Sequence, residues 1–262
     1  MSGLLHTDDG CGIAYDFRPV DGRPALLLSP SLGTTMALFE PQIDALADRY
    51  SILRYDPRGH GQSQTPAGGY SIDRLGRDAV ALLDHLAIER AHFVGVSLGG
   101  MVGQWLGYRA PERLLRLVLA NTSAYMGPPA GWAVRIAAVS EHGAAALADA
   151  VIERWFTPEF RTAHPSRVDH ARAMLVRTDP QGYAGCCAAI RDMDLRATAA
   201  LIDVPTLVIA GARDPATPLD HARFLGGHIP GAALVELDAA HLANLEQPYA
   251  FNCALTEFLE AE

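Results

Sequence analysis

Four short stretches of the chain are apolar almost without interruption. They are 24–29 (PALLLS), 91–96 (AHFVGV), 114–121 (LLRLVLAN) and 204–211 (VPTLVIAG). Unbroken apolar runs of this length are typical of parallel strands that are buried on both faces. We therefore predict a strand at each of these four runs, and we expect the first to be a parallel strand.

The segments around these runs alternate between shorter strand patterns and helical periodicity. Further strands are predicted at 13–17, 50–56 and 232–238. Apolar positions at helical spacing predict helices at 36–50 (with a proline break), 71–86, 98–110, 218–229 and 248–260. This order indicates an α/β fold, in which helices flank a mostly parallel central sheet. Ligands of such folds bind at the carboxyl ends of the strands.

The alternation stops after Asn121. Residues 122–199 are rich in alanine, arginine and tryptophan, and they show helical patterns without strong strand signals. The strand pattern then resumes at 204. We predict a helical cap of residues 122–199 that is inserted into a core formed by residues 1–121 and 200–262.

The net charge of the chain argues against two classes of binding partner. A formal net charge of −9 argues against binding to nucleic acid or to an anionic membrane surface. The first ten residues, MSGLLHTDDG, lack the basic and apolar regions of a secretory signal, and no apolar run approaches the length of a membrane span. We therefore expect a cytoplasmic protein that acts on a small molecule. The oligomeric state stays open.

Motifs for metals and cofactors are missing from the sequence. The cysteines match no zinc or redox spacing; they are Cys11, Cys186, Cys187 and Cys253. There is no phosphate loop and no His-Glu-x-x-His pattern, and RGHGQS at 58–63 lacks the third glycine of a dinucleotide site. We expect free thiols, no metal and no cofactor.

The stretch HFVGVSLGGMVG places Ser97 between two glycines, behind a predicted strand and ahead of a predicted helix. A sharp turn of this kind exposes a serine at the carboxyl edge of the sheet, near the positive end of the helix. Gly95 and Gly99 would let strand and helix pack closely. We predict that Ser97 is a nucleophile; a glycine-rich packing turn is the alternative.

A serine hydroxyl needs a base, and in this topology an acid and then a histidine should follow the serine. His241 lies just beyond the last predicted strand, in LDAAHLANLEQP. Asp214 follows the strand at 204–211, and its carboxylate would orient the imidazole. The alternatives are an ordinary loop histidine and a turn aspartate. Asp238 is a weaker rival because it is too close in sequence to His241.

Acyl transfer also requires donors that stabilise an oxyanion. We predict the amide of Leu98, which follows the nucleophile, as one donor. The second is predicted in the loop SPSLGTT at 29–35, at Leu32, because small residues flank it. The alternative is a turn that only ends the strand.

Together these residues resemble the α/β-hydrolase superfamily across essentially the whole chain. DPRGHGQS at 56–63 looks like the superfamily's loop after its fourth strand. Within the superfamily the chain most resembles the 3-oxoadipate enol-lactonases of the β-ketoadipate pathway. The specific matches lie in the predicted cap, in GWAVRIAAV and TDPQGYAGCCAAIRDMDLR.

The chain departs from that family at two places. Pro30 stands where asparagine often precedes the Ser-Leu-Gly loop, and NTSAYMG at 121–127 replaces a stretch that is often richer in alanine and basic residues. Tyr125 and Met126 in this stretch are expected to shape the pocket.

The resemblance implies a serine hydrolase that opens a small, carboxylate-bearing enol-lactone to 3-oxoadipate through an acyl-enzyme. Trp132 and Arg135 are three apart on a predicted cap helix and share one face. Arg135 would pair with the substrate carboxylate while Trp132 walls the pocket; an arginine laid along the helix in solvent is the alternative. Other possible functions are a general carboxylesterase, a carbon–carbon bond hydrolase, or a non-catalytic ligand sensor of the same fold.

Overall fold

A computed structural model describes residues 1–261 of the chain. Within these residues, eight strands form one sheet in the order β1-β2-β4-β3-β5-β6-β7-β8. The strands are β1 (Ser2–His6), β2 (Gly12–Arg18), β3 (Ala25–Ser29), β4 (Ser51–Tyr55), β5 (Ala91–Val96), β6 (Leu114–Ala120), β7 (Thr206–Gly211) and β8 (Ala233–Leu237). β2 pairs antiparallel with β1 and β4, and the pairs from β4 onward are parallel. The predicted mostly parallel sheet is confirmed.

Residues 1–261 contain eleven α-helices. They are α1 (Glu40–Leu46), α2 (Ile72–His85), α3 (Leu98–Arg109), α4 (Pro129–His142), α5 (Ala148–Trp155), α6 (Pro158–Ala163), α7 (Pro165–Arg177), α8 (Pro180–Asp192), α9 (Leu219–His228), α10 (Ala243–Glu246) and α11 (Pro248–Leu259). None of them is both long enough and apolar enough to cross a membrane in the described part of the chain.

The four apolar runs form strands, as predicted, and the structure places these strands next to one another in the sheet. Every residue of β5 and β7 is buried. Helix α3 packs on β5 and β6, and it lies so close to α2 that a Cβ on Gly76 would stand 2.1 Å from the Trp105 ring. The sheet thus has an apolar interior on which the loops at its ends are fixed.

Two local predictions differ from the structure. The helical segment that was predicted over 36–50, with a proline break, is a 3-10 helix at Met36–Phe39 followed by α1, and it ends earlier than predicted, at Leu46. Pro41 lies in the first turn of α1, where its missing N–H is not needed. Strand β1 was not predicted, because it is a short edge strand whose residues are mostly exposed.

Helices α4 to α8, here called the inserted helices, lie between β6 and β7 in the chain. They contact loops that follow the strands. Gly182 of α8 packs on Gly59 after β4, where a Cβ on Gly59 would lie 2.3 Å from the Gly182 Cα. The Leu242 amide, after β8, donates to the Trp155 carbonyl at 3.0 Å. The inserted helices therefore cover the carboxyl end of the sheet; the domain boundaries stay a prediction.

A buried histidine at the start of β5 makes stability depend on pH. His92 is 7% exposed, and burial, with the nearby charge of Arg116, lowers its pKa to about 4. In the unfolded chain a histidine titrates near 6.5, so between about pH 6.5 and 4 the unfolded state binds a proton that the folded state does not. The contribution of neutral His92 to the free energy of unfolding is therefore fully present above pH 6.5 and is lost as the pH falls below that value.

We expect the free energy of unfolding, measured by urea titration, to fall between pH 7 and pH 5. The variant His92→Phe removes the titrating group and keeps a ring against Tyr50, whose ring lies 5.5 Å from that of His92. The fall should become smaller by about 2 kcal/mol in this variant. Equal pH dependence in the two proteins would contradict the assignment.

Candidate active site

Ser97 lies in a strained turn between β5 and α3. Its backbone has φ 56° and ψ −111°, a conformation that residues with a side chain rarely adopt. A Cβ on Gly95 would lie 2.2 Å from the Gly99 carbonyl oxygen, and one on Gly99 would lie 2.0 Å from that of Ser29. Both glycines are therefore needed for the close packing that the sequence predicted. The turn places Ser97 at the carboxyl end of β5.

His241 and Asp214 form a hydrogen-bonded pair in the loops after β8 and β7. His241 Nδ1 lies 2.8 Å from Asp214 Oδ2, and both side chains are almost fully buried. With a proton on Nδ1, the imidazole turns Nε2 outward as the basic nitrogen. The structure thus brings these two predicted residues into contact and leaves Asp238, the rival acid, at the exposed end of β8.

Four further donors hold the Asp214 carboxylate. Oδ1 accepts from the amides of Ala216 and Thr217 at 2.7 and 2.9 Å. Oδ2 accepts from the Thr217 hydroxyl at 2.7 Å and from Asn121 Nδ2 at 3.0 Å. Burial raises the pKa of Asp214, but the charge of His241 and the hydrogen bonds outweigh burial and hold the pKa below its ordinary value. The carboxylate is therefore ionised at neutral pH.

Asn121 and Thr217 were not predicted from the sequence as part of the site. Asn121 directly follows β6 and has φ 45°, and its Nδ2 also donates to the Ala240 carbonyl, next to His241, at 3.1 Å. Asn121 thus connects the loop that carries Asp214 to the loop that carries His241. The available signal was its position: a polar residue at the carboxyl end of a predicted buried strand.

Ser97 and His241 both line one cavity, which encloses about 180 Å³. No hydrogen bond joins their side chains within residues 1–261, and His241 Nε2 has no partner in that part of the chain. Hydrogen bonds between catalytic groups often tighten only when substrate binds. The cavity is smaller than the ~300–1,000 Å³ of sites for drug-sized molecules, which indicates a small substrate.

Two amides near Ser97 are available as donors. The Leu98 amide is the first of α3, and neither it nor the Leu32 amide has a hydrogen-bond partner among the described residues. Leu32 lines the cavity, and the Gly99 amide ties the two loops together by donating to the Pro30 carbonyl at 3.1 Å. Both amides are therefore free to donate to an anionic oxygen near Ser97.

A buried histidine holds the loop that carries Leu32. His60 Nε2 accepts from the Gly33 amide at 2.9 Å, and His60 Nδ1 lies 3.2 Å from the Arg58 carbonyl, to which it donates. Burial lowers the pKa of His60 to about 4, so the ring is neutral at physiological pH. Only the neutral ring accepts at Nε2, and burial therefore preserves the bond to Gly33.

The cavity lies between the core loops and the inserted helices. Apolar and aromatic side chains make up most of its wall, and its charged groups are two arginines. Besides Ser97, Leu32 and His241, the wall consists of Ser31, Met101, Met126, Trp132, Arg135, Val151, Arg154, Trp155, Tyr183, Ile190, Pro215 and Ala216.

Sequence comparison identifies the family. Residues 24–159 match the model of the alpha/beta hydrolase fold family. The chain belongs to the α/β-hydrolase family.

Among α/β-hydrolases, the chain is 45% identical over 233 residues to 3-oxoadipate enol-lactonase 2 of Acinetobacter baylyi, which covers 89% of this chain and 87% of that protein. Identity to 3-oxoadipate enol-lactonase 1 of the same organism is 36% over 258 residues, or 98% and 97% of the two chains. The enol-lactonase structure from Burkholderia xenovorans LB400 superimposes with a TM-score of 0.97 at 40% identity and covers 99% of this chain and 100% of that one.

The expectation for Tyr125 is not supported by the structure of this α/β-hydrolase. Tyr125 lies outside the Ser97 cavity, in a neighbouring cleft where the Arg196 guanidinium stacks 4.2 Å from the centre of its ring. The Ser123 hydroxyl also bonds the amide and the carbonyl of Tyr125 and fixes this turn. Met126 lines the cavity instead, and its carbonyl accepts from Trp132 Nε1 at 3.2 Å.

A buried carboxylate connects the histidine loop to the inserted helices. Glu246 of α10 accepts from the Ala240 amide at 2.9 Å, and it also accepts from the hydroxyl and the amide of Thr157, between α5 and α6. The residue before His241 is thereby fixed to the segment that covers the cavity. Sequence analysis missed Glu246, because its partner lies 89 positions away.

The cysteines and the metal-binding residue types form no second site in the described chain. Cys11, Cys186 and Cys187 are buried free thiols, and Cys253 is an exposed one. Among residues 1–261 no three His, Cys, Asp or Glu side chains are grouped so that they could hold a metal ion.

Proposed function

We propose that this chain is a serine hydrolase that opens 3-oxoadipate enol-lactone, a small lactone with a carboxylate, to 3-oxoadipate. One observation carries the proposal: Ser97, the His241–Asp214 pair and the Leu32 amide meet at a small cavity whose charged side chains are arginines. The enol-lactonases among its relatives support the choice of substrate.

In the first half of the reaction, Ser97 Oγ attacks the lactone carbonyl while His241 Nε2 takes its proton. Asp214 stabilises the imidazolium that forms. The amides of Leu32 and Leu98 donate to the oxyanion, which carries more charge than the ground-state carbonyl oxygen. These hydrogen bonds therefore strengthen most in the transition state.

Collapse of the tetrahedral intermediate breaks the ring C–O bond. The leaving group is an enolate, which is a weaker base than an alkoxide, and the His241 imidazolium supplies its proton. The enol remains attached to the acyl chain and tautomerises to a ketone. A water then attacks the Ser97 ester, with His241 again acting as base, and the product leaves with a second carboxylate.

Trp132 and Arg135 of α4 both line this cavity. The Arg135 guanidinium lies 5.3 Å from the centre of the Trp132 ring and 5.8 Å from that of Tyr183. The two rings hold the arginine in the cavity and leave its N–H groups for an anion. In the proposed complex Arg135 binds the substrate carboxylate.

We expect Arg135→Gln to lower kcat/KM for the anionic lactone about tenfold to a hundredfold, because a hydrogen bond to a charged group is lost. A neutral ester should lose much less. Steady-state kinetics on both substrates checks this, and equal losses would exclude a specific role for Arg135.

Turnover of 3-oxoadipate enol-lactone, measured beside p-nitrophenyl acetate and a vinylogous diketone, tests the proposed function. A kcat/KM for the lactone that exceeds the other two by orders of magnitude supports it. A preference for the aryl ester would indicate a general carboxylesterase. A preference for the diketone would indicate a carbon–carbon bond hydrolase.

A further inference from the structure

A second arginine reaches the Ser97 cavity from a different inserted helix. Arg154 of α5 lines the cavity together with Arg135 of α4. Neither guanidinium has a hydrogen-bond acceptor or an ion-pair partner among residues 1–261. Arg213, outside the cavity, instead pairs with Glu159 at 2.6 Å. The two cavity arginines therefore present a set of unused donors to whatever enters.

The charge of the side chains that line the cavity is opposite to the net charge of the whole protein. The chain carries a net charge of −9, yet the cavity wall contains two arginines and no aspartate or glutamate in its described residues. Burial lowers the pKa of Arg154, and the charge of Arg135 lowers it further. Two cations in one partly desolvated space repel each other, and an anion between them removes that repulsion.

We propose that Arg154 and Arg135 together form the carboxylate subsite of this cavity, so that the enzyme selects small acyl substrates with a carboxylate remote from the scissile carbonyl. This inference rests on the proposed function. It adds Arg154 as a specificity residue on an independent helix. A neutral substrate leaves both guanidinium groups unpaired in the cavity, and it is disfavoured for that reason.

The apolar wall sharpens this selection. Trp132, Trp155 and Tyr183 line the same cavity and offer no acceptor oxygen to an arginine other than the Tyr183 hydroxyl. These three side chains therefore leave most of the guanidinium N–H groups without a partner. A bound carboxylate would gain two charge-assisted interactions, one from each helix.

The test compares 3-oxoadipate enol-lactone with its methyl ester, which has the same ring but no charge. We expect Arg154→Gln to lower kcat/KM for the anionic lactone about tenfold to a hundredfold, mainly through KM. The methyl ester should change far less, and Arg154→Lys should recover part of the loss. Arg172→Gln is the matched control on α7: Arg172 pairs with Asp149 at 2.7 Å outside the cavity, and its loss should leave both substrates unaffected.

The double variant Arg135→Gln/Arg154→Gln reports whether the two arginines share one anion. The factor by which the double variant lowers kcat/KM for the lactone should differ from the product of the two single-variant factors, since residues that contact one group are coupled. Equal losses on lactone and methyl ester, or no loss on either, would overturn the role of Arg154.

Inhibition by adipate separates this inference from the proposed function. If the wild-type enzyme hydrolyses only p-nitrophenyl acetate, the lactone assignment fails. The arginine subsite still predicts competitive inhibition of that activity by adipate, weakened about tenfold or more in Arg154→Gln. Unchanged inhibition in the variant would overturn the subsite.

Discussion

Replacement of Ser97 by alanine is expected to lower kcat for the lactone by at least about a thousandfold, the scale of nucleophile removals in other triads. The acyl-enzyme cannot form without Oγ, and the strained turn positions this one oxygen at the cavity. Any remaining rate would come from direct attack of water with the amides of Leu32 and Leu98 still in place. Single-turnover kinetics on purified variant measures the loss.

Ser31 provides a matched control, because it is another serine of the same cavity and its hydroxyl has no partner among the described residues. Ser31→Ala should lose far less activity than Ser97→Ala. A serine-reactive phosphonate should label the Ser97 peptide in the wild-type protein only, as read by mass spectrometry. Near-normal turnover in Ser97→Ala would rule out the nucleophile, and a wild-type protein that resists labelling would favour a non-catalytic ligand sensor.

The variant Asp214→Asn should lower kcat about a thousandfold to ten-thousandfold, as expected when the histidine adopts the wrong tautomer. The hydrogen bonds around Asp214 determine the orientation of the side-chain amide of an asparagine at this position. Two amides, of Ala216 and Thr217, point at Oδ1 and require an oxygen there. The new NH₂ group would then face His241 Nδ1, force the proton onto Nε2 and remove the base.

Asp238→Asn is the control for this experiment, since Asp238 is an exposed carboxylate three positions before His241. It should retain nearly full activity. The kcat of Thr217→Val should lie between those of Asp214→Asn and Asp238→Asn. The change removes one donor from Asp214 Oδ2 and keeps the two amides at Oδ1. If Asp238→Asn were the more damaging change, the acid would have been assigned to the wrong residue.

The sequence was sufficient to predict those features that depend on contacts between residues close together in the chain. Continuous apolar runs predicted β3, β5, β6 and β7, since a strand covered on both faces has no polar side. The glycines around Ser97 predicted a tight turn, since a Cβ at either would meet backbone atoms. The order of serine, acid and histidine predicted which loops meet, because parallel strands end at one edge.

Long-range packing decided the rest. Asn121, His60 and Glu246 each have a partner that lies between 27 and 93 positions away, and no periodicity connects such pairs. The conformation of the turn at 121–127 places Tyr125 outside the cavity and Met126 in the cavity wall. These positions depend on how separate loops converge.

The sequence by itself determined the α/β sheet, the strained serine turn and the order of the three candidate catalytic residues, because each follows from neighbours along the chain. Only the tertiary structure decided what surrounds them. It placed Arg154 of α5 beside Arg135 of α4, and it left both without a carboxylate partner among residues 1–261. A pairing of charges across two helices depends on their packing, which local sequence patterns do not encode.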